Sequence, residues 1–216
     1  MSLRTQGPHR VVAEGDEYLS TVHPIKPTSI DPAPLALGAF ALTTFLLSWI
    51  NAGFASPALI GTVVATAWFY GGIIQVLVGF WELKDGKLFP GVTFSSFGAF
   101  WISFALFNTL YVSHIPAASA GTANALFLAP WIVFTFYMLI GSFRTNVVLV
   151  IAFILVELVL VPAVLGFSGN NVAMFHLSGW SGLLLALDIW YLAASDILAH
   201  MYGRPVLPVG AFSAAA

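Results

Sequence analysis

Long apolar runs broken by short polar joints set the pattern of this chain. After Pro34, segments of roughly 20 apolar residues follow one another, each long enough to cross a ~30 Å hydrocarbon core. They lie at about 34–53, 57–81, 93–112, 122–142, 145–167 and 176–199. Lipid offers no partner to a backbone amide, and helix is the only open structure that satisfies its own. The pattern therefore predicts an all-α membrane protein with six transmembrane helices. It divides the chain into an N-terminal tail (1–30), a six-helix transmembrane domain (31–202) and a C-terminal tail (203–216).

The charges fall where that topology would put them. The joints Ala52–Ser56, Ser113–Ala120 and Ser168–Ala173 carry no Lys, Arg, Asp or Glu. The seven basic residues lie elsewhere: Arg4, Arg10 and Lys26 in the first tail, Lys84 and Lys87 after the second run, Arg144 after the fourth, and Arg204 after the sixth. Basic residues collect on the cytosolic side of a membrane, so both termini are expected to be cytosolic. Residues 1–30 lack a signal-peptide core and read as a partly disordered tail. Trp49, Trp81 and Tyr111 fall near run ends, as interfacial anchors do.

Composition narrows the function classes. Charged residues make up 7% of the 216 and hydrophobic ones 59%, and the mean hydropathy is +0.94. Six spans leave no room for a soluble catalytic domain. There is no Cys, which excludes thiolate metal sites and thiol nucleophiles. His9, His23, His114, His176 and His200 are scattered, without a ligand spacing. No Ser/His dyad, paired Asp motif or metal-binding helix is present, so neither enzyme activity nor a cofactor is expected. No basic cluster is available to meet a nucleic-acid backbone. Small outer joints favour a small solute over a large ligand.

Polar and small residues mark where the helices depart from plain spans. Gly61/Ala65 and Ala67/Gly71 in the second run are small-xxx-small pairs, which permit close helix contact. Gln75 shares a helical face with Gly72 and Gly79, and a buried amide needs protein or water beside it. Pro130 and Pro162 free backbone carbonyls within the fourth and fifth runs. Asn51 and Gly53 are suited to ending the first.

Two acids lie deep in the runs. Glu157 is 13 residues beyond Arg144 and Asp188 is 12 before His200, so both lie roughly 18–20 Å from the cytosolic boundary at 1.5 Å per residue. An intramembrane acid is a functional candidate by default, and Glu157 and Asp188 are candidates for proton coupling. The bland alternative is an acid bonded to a neighbouring side chain or buried at a subunit contact. Ser181, Leu184, Asp188, Tyr191 and Ser195 share one stripe. Asp196, nearer the boundary, reads as solvated.

The stretch Asp31-Pro32-Ala33-Pro34-Leu35-Ala36-Leu37, with Gly38 and Thr43-Thr44 following, resembles the signature Asn-Pro-Ala-Pro-Leu-Gly-Leu of the acetate uptake transporter family. That family includes bacterial succinate–acetate permeases and fungal acetate transporters. Asn51-Ala52-Gly53, Phe69 to Gln75, Thr93 to Trp101 and Gly203-Arg204-Pro205-Val206-Leu207-Pro208 are similar to further family motifs, in the right order. The chain departs from the signature at Asp31, where the family has Asn, and at Ala36, where it has Gly. Asp31 can still cap the first helix, but its charge is less welcoming to an anion.

The resemblance implies a homohexamer of six-helix protomers, each with its own solute path. It implies movement of acetate, and in some members succinate or other monocarboxylates, often with protons; some fungal relatives are linked to ammonia export. It also implies an apolar ring at the narrowest point, matched here by Phe40, Phe97 and Val156, where the family often has Tyr and Leu at the last two. A smaller Val156 would admit lactate-sized solutes. A carboxylate crossing such a ring loses its hydration at great cost, whereas neutral acetic acid does not. Thr44, Asn51, Tyr70 and Gln75 join the expected path, and Phe40, Thr44, Leu47 and Asn51 fall on one helical face. The expectation is a plasma-membrane transporter or channel for small carboxylates. The alternatives are an ammonia/ammonium conductor and a membrane acetate sensor.

Overall fold

The computed structural model describes residues 30–212. The chain divides into two units, residues 1–31 and residues 32–216. Residues 1–29 of the expected N-terminal tail, with its charged residues and with His9 and His23, lie outside the described residues. The second unit is all-helical, and six helical segments in it are long and apolar enough to cross a membrane.

α1 (Ala33–Asn51) starts at a proline in its first turn, where the missing N–H costs nothing. Its N-cap position falls on Pro32 rather than on the expected Asp31, and a proline ring carries no acceptor. α2 (Pro57–Lys84) opens with a 3₁₀ turn whose Ala58 N–H donates to Ser56 Oγ. It then passes through a π segment at Phe69–Ile74. α3 (Leu88–His114) begins five residues before the predicted 93, because Pro90 sits in its first turn, where no intrahelical N–H bond is lost. It holds a second π segment at Phe107–Tyr111.

α4 (Ala117–Ser142) and α5 (Val147–Gly169) continue through Pro130 and Pro162. Asn146 caps α5 by accepting from Leu149 N–H at 2.9 Å, and Asn170 closes it in the left-handed conformation at φ 48°. α6 (Val172–Tyr202) is capped by Asn171 and stops at Gly203 with φ 65°, where a side chain would be strained.

α1 packs along α6, α6 along α5, α5 along α4, and α2 along α3. Of the two small-residue pairs, Ala67/Gly71 is buried and brings α2 against Thr43 of α1, while Gly61 faces open space. Gly79 and Gly98 let the backbones of α2 and α3 meet. Trp49, Trp81 and Tyr111 are exposed near helix ends.

Beyond Gly203 the chain turns back as a strap. Val148 N–H donates to Val209 O, Val147 N–H to Gly210 O, and Phe212 N–H to Thr145 O. Tyr191 and Ser195 of α6 donate their hydroxyls to Pro208 O and Leu207 O, at 2.8 and 3.1 Å. Two polar residues of the stripe around Asp188 thus hold the chain end.

Candidate functional site

Two cavities run into the helical unit from its opposite ends. The smaller, about 210 Å³, is lined by Leu37, Gln75, Thr93, Asn146, Asp196 and Val209 among others. The larger, about 670 Å³, is lined by Thr44, Asn51, Trp101, Asn108, Asn124 and His176 among others. Four residues line both: Phe40, Phe97, Val156 and Leu185. Each of the four is buried, so the two spaces meet at an apolar plug contributed by α1, α3, α5 and α6.

Phe40 and Phe97 stand edge to face, with centroids 5.0 Å apart and planes at 63°, within the favoured range for aromatic pairs. Phe97 is backed by Phe134 at 5.8 Å and Phe153 at 6.4 Å, which fixes the ring. Val156 offers only two methyls from α5.

The walls carry polar groups on either side of this plug. Thr43 spends its hydroxyl on Ala39 O at 3.0 Å. Thr44, one position on and facing the larger cavity, makes no hydrogen bond within the protein. Trp101 Nε1 on the same cavity and Gln75 Oε1 on the smaller one are also buried without a protein partner. Such groups are costly unless something meets them. Asn51 lies further out on the larger cavity. Among the described residues no Lys or Arg lines either cavity, and Asp196 is the one acid that does.

Of the path residues expected from sequence, Phe40, Phe97, Val156, Thr44, Asn51 and Gln75 come together on the cavity walls, whereas Tyr70 does not. Its hydroxyl lies against Gly38 of α1, 3.1 Å from where a Cβ would stand. In the signature, Ala33 and Leu37 reach the smaller cavity.

Glu157 and Asp188 line neither cavity. Thr135 Oγ1 of α4 donates to Glu157 Oε1 at 2.6 Å, closer than its backbone acceptors Trp131 O and Ile132 O at 2.9 and 3.2 Å. Glu157 therefore belongs to the α4–α5 contact. Asp188 Oδ2 is buried without a hydrogen-bond partner. Its neighbour Ile189 lines the smaller cavity, so Asp188 sits one helix position off the wall. Asp196, read as solvated, is exposed and also lines the smaller cavity. Leu185 was not legible in advance, because a leucine in an apolar helix carries no local signal of which neighbour it faces.

Comparison with known proteins fits this arrangement. The GPR1/FUN34/yaaH family model matches residues 15–212. The chain is 36% identical over 182 residues to the succinate-acetate/proton symporter SatP of Escherichia coli K12, covering 83% of this chain and 95% of that protein. It is 34% identical to acetate permease A of Emericella nidulans, over 84% of this chain and 66% of that one. Ammonia transport outward protein 2 of Saccharomyces cerevisiae is 33% identical, over 77% of this chain and 61% of the yeast protein. The solved structure of the bacterial acetate channel SatP superimposes with a TM-score of 0.79 at 33% identity, over 84% of this chain and 99% of that one.

Proposed function

The chain belongs to the GPR1/FUN34/yaaH family, and we propose that it is a multi-pass membrane transporter or channel for acetate and related small carboxylates. The observation that carries this reading is the apolar plug between two cavities with polar walls. It is joined by likeness to relatives named for succinate and acetate.

Phe40, Phe97 and Val156 act as the constriction. A solute entering from the larger cavity meets the Thr44 hydroxyl, which can donate to a carboxylate, before the plug, and Gln75 Oε1, which can accept the O–H of the neutral acid, after it. At the plug it must shed water, and the neutral acid does so at much lower cost. Asp188 is the better supported of the two proton-coupling candidates, being half-buried with Oδ2 enclosed and without a hydrogen bond, and next to a wall residue. Glu157, held by Thr135, is the weaker one.

The protein resides in the plasma membrane as a homohexamer with both termini cytosolic, and the smaller cavity opens to the cytosol. Lys84, Lys87, Arg144 and Arg204 flank the helix ends nearest that cavity, in line with the positive-inside rule. Exposed apolar residues such as Leu126 and Val133 on α4 are available to lipid and to neighbouring subunits. No catalytic role is proposed. Ammonia conduction is a second reading, favoured by the yeast relative. Uptake of labelled acetate by liposomes holding purified protein, with and without a pH gradient, tests the first reading. Acetate entry that ammonium cannot abolish supports it, and ammonium flux without acetate flux favours the second.

A further inference from the structure

We infer that Leu185 of α6 is a specificity-determining residue of the path, the fourth wall of the plug. The inference rests on the proposed carboxylate transport. A ring drawn from α1, α3 and α5 leaves one side open, and the fourth residue common to both cavities closes it.

The backbone of α6 is held in place for that task. Gly179 lies against the backbone of Asn51 and Ala52, and Gly182 lies against the Ser48 side chain. A Cβ at either glycine would collide with α1, so only glycine permits this approach. Leu185 follows Gly182 by three residues and therefore projects from nearly the same helical face. From it the stripe Leu185, Ile189, Leu192, Asp196 descends the wall of the smaller cavity at spacings of four, three and four. That is the period of one helix face. Leu185 is buried yet lines both cavities, so its side chain stands at the junction a solute crossing between them must pass. Val156 and Leu185 come from the neighbouring helices α5 and α6 and line the same junction between the cavities, so a small Val156 is matched by a larger Leu185.

A merely structural leucine would behave differently. Loss of packing lowers the amount of working protein and scales every flux alike, so a ratio of two fluxes stays fixed. A wall residue changes the ratio. One methylene in an apolar site shifts discrimination by about tenfold.

Uptake of labelled acetate and labelled propionate is measured in liposomes holding wild type, Leu185→Val, Leu185→Phe, and Leu185→Val combined with Val156→Leu. The propionate-to-acetate ratio is expected to rise about tenfold in Leu185→Val and to fall in Leu185→Phe. It should return toward the wild-type value in the double variant, which moves the methylene from α6 to the neighbouring α5 wall. An unchanged ratio in both single variants, with wild type transporting acetate, overturns the role of Leu185 and leaves the transport reading intact. Absence of acetate flux in wild type overturns both.

Discussion

Phe40 and Phe97 meet edge to face, 5.0 Å between centroids, at the boundary shared by the two cavities. Separated by 57 positions in sequence, they are joined in space by α1 and α3, and this contact separates the polar groups on one side from those on the other. Thr44 lies one turn beyond Phe40 on the larger cavity, and Gln75 waits on the smaller. A solute must displace or slip past that ring pair to pass between them.

Removing one ring should join the two spaces. Phe40→Ala is expected to raise propionate and lactate uptake relative to acetate. It should also cost about 3 kcal/mol of stability, as core Phe truncations do. Flux ratios and a thermal-unfolding scan check both parts. A variant destabilised to that extent with an unaltered ratio would remove Phe40 from the path.

Val156→Leu adds one methylene to the plug. The propionate-to-acetate ratio should drop, while both cavities keep their polar groups. If the ratio does not move, Val156 lies outside the path.

How much of this was legible in the sequence depended on which force set each feature. The six helices follow from apolar run length alone, and their ends moved by only a few residues, as where α3 started early around Pro90. Phe40, Phe97 and Val156, which line both cavities, were singled out through resemblance, since nothing in the local pattern separates a cavity-lining Phe from a packing one. Leu185 was missed for that same reason. Tyr70 lies in the π segment Phe69–Ile74, whose wider turn changes which side chains face the core, and no sequence periodicity announces such a turn. The strap was read as a tail because its pairing with Thr145, Val147 and Val148 is long-range backbone bonding, invisible to hydropathy.

The bond between Thr135 and Glu157 ties α4 to α5. Thr135→Val keeps the shape and removes the donor, leaving a partly buried carboxyl unsatisfied at a cost of about 1 kcal/mol. A lower melting temperature with an unchanged propionate-to-acetate ratio is the expected result. A changed ratio at unchanged stability would move Glu157 from helix contact to solute path.

Asp188 is tested by making its side chain unable to exchange a proton. Uptake in Asp188→Asn should lose its dependence on an imposed pH gradient while acetate binding persists, measured by equilibrium binding on the same preparation. Should gradient-driven uptake persist in full, Asp188 is structural, and the gradient acts through passage of neutral acetic acid.

In the proposed function acetate crosses the membrane through this protomer, between the two cavities, past Phe40 and Phe97. The most direct measurement is initial entry of labelled acetate into liposomes containing the purified protein and nothing else. Entry is expected well above that of protein-free liposomes, faster with an inward proton gradient and persisting when ammonium is added in excess. Acetate that binds the protein but does not enter would contradict it and identify a sensor instead.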